Sequence, residues 1–278
     1  MHWFLISICF SFFPISFQAT NHAVHHQKKY IDASKHTINT RFQTEANFSR
    51  VSIDSTSFAY YLRHLPLKAI GTKVHYYNGA TKEKLNVYCA VVDLDIGKRD
   101  LQQCADAVIR LRAEYLYKRK KYDAISFRFT NGFEAMYSKW RQGYRIAVRG
   151  NQVSWYKTSQ KSDTYTSFRA YLNLVFAYAG TQSLSKELKP VSISSIQIGD
   201  VFIQGGFPGH AIIVVDMASN NKGEKQVLLA QSYMPAQDIQ LLVNPLKHNK
   251  SAWYDVNKTK DVILTPEWVF ATADLKRF

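Results

Sequence analysis

The stretch from Ile196 to Ser232 restricts the fold more than any other part of the chain. Three β-branched or aliphatic runs, at 196–203, 211–216 and 227–232, are separated by breaks rich in Gly, Pro and Asn. Runs of this kind read as consecutive antiparallel strands. The first break, Gly205-Gly206-Phe207-Pro208-Gly209, leads directly into His210 at the head of the second strand. A strand fixes the direction of an imidazole, and glycines leave room for a substrate backbone. His210 is therefore a candidate for a catalytic or ligand-binding role; the alternative is a loop histidine that caps a strand end through a backbone hydrogen bond. Asp216, six residues on, lies ~20 Å away along an extended strand and reads as a turn former.

Two helices stand out. Asp100 and Gln103 form a capping-box pattern, after which Leu101, Cys104, Val108, Leu111 and Tyr115 recur at helical spacing as one apolar stripe. Asp106, Arg110 and Glu114 lie four apart and can make an ion-pair ladder on another face. Phe168, Tyr171, Leu172, Val175, Phe176 and Ala179 mark the second helix, with Gly180 as its stop. Shorter elements include a helix over 57–65, strands at 74–77, 85–94 and 124–130, and a hairpin turning at Gly150-Asn151. Thr265-Pro266-Glu267 reads as the cap of a C-terminal helix carrying Trp268 and Phe270.

In 278 residues, an apolar share of 46% allows one elaborated domain or two smaller ones. The net charge of +15 favours anionic surroundings: wall polymers, acidic lipids or nucleic acid. No helix-turn-helix, RNA-binding sheet or zinc spacing accompanies it, so nucleic acid is not expected as a partner. Asp93, Asp95 and Asp100 fit no calcium loop, and the sequence asks for no metal or cofactor. The uncharged run Trp3 to Phe17 is short for a bilayer span and of the right length for a signal-peptide core. Residues 1–19 thus read as an export leader, with a retained membrane anchor as the alternative. Residues 20–50 read as a polar linker in which His22, His25 and His26 are solvated. Beyond the leader only Cys89 and Cys104 remain. Cys104 has three open readings: a core residue on the apolar stripe, a nucleophile whose thiol the helix start acidifies, or half of a disulfide with Cys89.

The order from Phe168 to Ser232 resembles the papain-like NlpC-type cysteine peptidases of bacterial cell walls. The matching pieces are Val175-Phe176, Ala179-Gly180, Pro190-Val191-Ser192, Ile198-Gly199-Asp200-Val201-Phe202, Gly209-His210-Ala211-Ile212-Ile213-Val214 and Leu229-Ala230-Gln231. The resemblance implies an α+β fold: a papain-like core over 164–278 with an antiparallel sheet, preceded by an N-terminal α/β elaboration over 51–163. It also implies His210 as general base and Gln231 as the residue that orients it. On this spacing the family's nucleophilic cysteine falls at Phe168; Ser167 beside it is one candidate nucleophile, and Cys104, which could meet His210 in space, is the other. The expected activity is a cell-envelope thiol hydrolase acting on an amide of wall peptide, with Cys104, His210 and Gln231 as catalytic residues. The alternative is an inactive relative that binds wall fragments or a protein partner.

A second resemblance covers residues 40–278. The stretches 99–106, 110–115, 206–211 and 229–237 make the chain similar to the exported bacterial domain-of-unknown-function family 4846. It implies secretion or lipid anchoring at the periplasm or cell envelope and supplies no reaction; the positive charge and the cell-wall peptidase resemblance make peptidoglycan or another anionic envelope polymer the expected partner.

Overall fold

A computed structural model of the chain describes residues 30–247, 251–257 and 261–278. The expected leader and the histidines at 22, 25 and 26 lie outside the described residues. The N-terminal part contains α1 (Ile38–Arg41), β1 (Ser49–Arg50), α2 (Phe58–Arg63), β2 (Tyr88–Val91) and the long helix α3 (Cys104–Lys118). Two hairpins and three helices follow: β3 (Ser126–Arg128), β4 (Glu134–Met136), α4 (Tyr137–Arg141), β5 (Tyr144–Arg149), β6 (Gln152–Lys157), α5 (Tyr165–Tyr178) and α6 (Thr181–Glu187). The remaining strands are β7 (Lys189–Pro190), β8 (Val201–Gln204), β9 (His210–Ser219), β10 (Lys225–Gln231), β11 (Gln240–Leu242), β12 (Tyr254–Asp255), β13 (Val262–Leu264), β14 (Val269–Ala271) and β15 (Leu275–Arg277).

The protein is mixed α+β, built on a large antiparallel sheet. Among the described residues that sheet has nine strands, along the path β2-β11-β10-β9-β8-β15-β7, with β1 joining the end of β9 and β12 the start of β10. Strands from both sides of residue 164 therefore share one sheet. β9 is its spine, with α2 and α3 packed against it. Every residue of β9 from His210 to Ala218 is buried. A strand covered on both faces needs no polar alternation, which is why 211–215 reads as a continuous apolar run.

Several expectations are corrected. Residues 30–50 are not a linker: Ile38 and Phe42 are buried in the core, and Arg50 donates to the Asp216 carboxylate at 2.7 Å. Asp216 is no turn former. It sits inside β9, fully buried, and its other oxygen accepts from Arg63 Nε at 2.6 Å. Two guanidiniums make burial of that carboxylate tolerable.

Helix α3 begins one turn later than the Asp100 pattern suggests. Its N-cap is Gln103, whose N–H donates to the Asp106 carboxylate at 3.1 Å, while Asp100 instead accepts from the Ala236 N–H at 2.7 Å. The helix is buried on nearly all sides, so Arg110 and Glu114 form an interior pair at 2.8 Å rather than a surface ladder. Gln102 Oε1 also accepts from Arg110, and the Tyr165 hydroxyl donates to Glu114. The expected C-terminal helix is the hairpin β13–β14. Thr265 Oγ1 accepts from Trp268 N–H and donates to Trp268 O, which closes a tight turn, and Ile263 and Phe270 fill the inward positions.

The strand expected at 74–77 forms only isolated bridges, and that at 85–94 narrows to β2 after a 3₁₀ turn at Leu85–Val87. The helix expected at 57–65 and the hairpin at Gly150-Asn151 form as α2 and β5–β6.

Candidate functional site

Cys104 is the first residue of α3, and the first amides of a helix lack intrahelical partners. The amides of Cys104 and Ala105 face the thiol and favour its anion, as does the amide of Ala211, the residue after His210. The start of α3 and the head of β9 therefore meet at this sulfur. Burial dominates nonetheless, with the Asp106 carboxylate adding to it, and the thiol is pushed up to about 11. Only 5% of Cys104 is exposed. Cys89 is also a free thiol, so no disulfide joins the two.

His210 and Gln231 lie on neighbouring strands. Ala230 pairs with Ile213, which sets Gln231 across from Ile212 and diagonal to His210 on the same face. His210 Nε2 donates to Gln231 Oε1 at 2.9 Å. The orientation of the Gln231 amide is fixed from behind: its Nε2 donates to Glu267 Oε2 at 2.7 Å, and the same oxygen accepts from Lys82 Nζ at 2.7 Å. Because Glu267 can only accept, the Gln231 oxygen is left to face the imidazole. With the proton held on Nε2, Nδ1 is the basic nitrogen. It makes no hydrogen bond among the described residues.

Aromatic rings enclose the imidazole. Tyr233, Trp268 and Phe270 lie 4.8, 5.3 and 5.8 Å from it, centroid to centroid. Burial lowers the His210 pKa to about 4, outweighing the Gln231 hydrogen bond and the Glu267 charge that raise it. At neutral pH the site thus holds a thiol and a neutral imidazole. Among the described residues no hydrogen bond joins the two; Tyr233 packs edge-on against the imidazole.

Phe168 is fully buried and stacks on Tyr117 at 4.2 Å. Ser167 Oγ accepts from Trp140 Nε1 at 3.0 Å on the same helix, α5. The helix laid against β9 is α3, and the hairpins and helices from β3 to α6 intervene between it and β8. Glu267 and Lys82 were missed altogether: both are distant in sequence, and the expected helix at 265–270 hid the turn that aims Glu267 inward. Gly209 also has another role than making room for substrate. A Cβ there would stand 2.5 Å from Thr181 Oγ1 and 2.6 Å from Gly206 O, so its bareness serves internal packing. Among the described residues no group of three His, Cys, Asp or Glu side chains could hold a metal, and no helix is long and apolar enough to cross a membrane.

The model of one family, described as a domain of unknown function (4846), matches residues 38–277. No curated protein and no solved structure matches the chain.

Proposed function

We propose a reaction for a chain that belongs to a family, the domain of unknown function 4846, whose description carries none. The reaction is amide hydrolysis by the Cys104 thiol, with His210 as base and Gln231 as its orienting partner, in an arrangement resembling the papain-like NlpC-type peptidases. The observation that carries this reading is the 2.9 Å hydrogen bond from His210 Nε2 to Gln231 Oε1. It leaves Nδ1 as the proton acceptor, and the amide of Ala211, the residue after His210, is turned toward the thiol at the start of α3.

In the first step Nδ1 takes the thiol proton while sulfur attacks the amide carbon, and the free N–H of Cys104 donates to the developing oxyanion. The imidazolium then protonates the leaving nitrogen as the C–N bond breaks, which leaves a thioester on Cys104. Water, deprotonated by Nδ1, adds to the thioester and releases the acid and the thiol. Because both groups are neutral at rest, the proton moves with the attack rather than beforehand. Substrate entry requires displacement of the cover that Tyr233 and Trp268 lay on His210. Phe207, 97% exposed on the loop into β9, and Met234, just past β10, are placed to meet the substrate.

The net positive charge and the resemblance to cell-wall peptidases support an exported enzyme acting on wall peptide within an anionic envelope polymer. A second reading, a non-catalytic relative that binds wall fragments or a protein partner, rests on the closed and neutral state of the pair. Incubating purified protein with muropeptides beside its Cys104→Ala and His210→Ala variants separates the two. Hydrolysis by the unaltered protein alone is expected. Binding without product favours the second reading, and equal product from all three sinks the assigned site.

A further inference from the structure

Arg41, the last residue of α1, is fully buried and forms no ion pair among the described residues. Its Nε donates to Lys35 O at 2.7 Å and its Nη1 to Lys68 O at 2.8 Å, but Nη2 has no partner. The acid nearest in effect is the Cys89 thiol, which burial pushes up to about 12, so it carries no charge to offset the guanidinium at neutral pH. A buried, uncompensated cation is costly and rare in native interiors.

Arg41 and Cys89 both line a cavity of about 430 Å³. That size lies within the range typical of small-molecule sites. The other walls are mainly apolar, with Ile31, Ile70, Leu85 and Tyr88 among them. Ile70 and Leu85 leave 48% and 51% of their surface exposed and so present apolar surface at the open side of the cavity. Lys73, exposed at the same cavity, adds a second positive charge.

We propose that this cavity binds a small organic carboxylate with an apolar body, its carboxylate on Arg41 Nη2 and its body against Ile31, Ile70 and Leu85. A volume of this size holds roughly a dozen heavy atoms at ~30 Å³ for each water-sized group. Charge alone or apolarity alone satisfies only half the site, because the anion-binding group lies inside apolar walls. The cavity shares no residue with the Cys104–His210 site, so this inference stands or falls independently of the proposed hydrolase activity.

Octanoate is a suitable probe, titrated into the full chain by calorimetry, with octanol and inorganic phosphate as controls. Saturable octanoate binding is expected, with octanol and phosphate at least tenfold weaker. Arg41→Gln should abolish it. Because Arg41 also ties two loops, Leu85→Glu serves as a second variant: the position is half exposed, the fold tolerates a charge there, and the added carboxylate should repel the ligand by at least tenfold. Octanoate binding that is absent, equalled by octanol or phosphate, or unchanged in Leu85→Glu overturns the proposal.

Discussion

His210 is neutral and buried where an unfolded chain would leave it free to protonate. Its folded pKa, about 4, lies below the ordinary value of 6.5. Between those values the unfolded state binds more protons, so stability falls as pH drops from about 6.5 to about 4 and levels off below. The contribution lost is on the order of 3 kcal/mol. Denaturant unfolding across that window should show this slope, and His210→Gln should flatten it. In the proposed reaction the same group would set the acid limb: kcat/KM should fall only near pH 4 if the closed pair is the reacting form. A limb near 6.5 would mean that the site opens to water before it reacts.

At the scale of elements, the β13–β14 hairpin and the Gly205–Gly209 loop do the positioning. The hairpin turn carries Glu267, which holds the Gln231 amide in the orientation His210 needs. Glu267→Gln keeps the shape but can present an N–H to Gln231 and frees its amide to rotate. We expect kcat to fall about tenfold, equivalent to ~1.4 kcal/mol of orientation, with KM unchanged. The loop carries Phe207, which touches little of the fold; Phe207→Ala should raise KM and leave thermal stability unchanged. β9 depends on a different device, the Arg50–Asp216–Arg63 cluster. Asp216→Asn leaves two guanidiniums without a counter-charge and should cost about 3–5 kcal/mol in denaturant unfolding.

Across the whole molecule, the parts legible in the sequence are those with strong local signals. The continuous apolar run of β9, the stripe of α3 and the Gly-His entry to the sheet are visible without a structure, and so are the antiparallel sheet and the pairing of His210 with Gln231. What escaped depends on distant contacts. Asp216 looks like a turn residue until Arg50 and Arg63 are seen to reach it. Arg110 and Glu114 look like a surface ladder until the helix is seen to be enclosed. That α3, rather than the nearer α5, packs on β9 is not legible from order along the chain, because the elements β3 to α6 lie between α3 and β8. Thr265-Pro266-Glu267 suits a helix cap as well as a tight turn, and in the structure the two Thr265–Trp268 hydrogen bonds close the turn.

The central claim is that Cys104 and His210 act as one catalytic unit, and a covalent intermediate tests it most directly. A muropeptide digest quenched in acid and mapped by mass spectrometry should show a thioester on the peptide containing Cys104. That adduct should be absent from Cys104→Ala and strongly reduced in His210→Ala. Product formed with Cys104 unmodified, or at an undiminished rate in Cys104→Ala, would contradict the account.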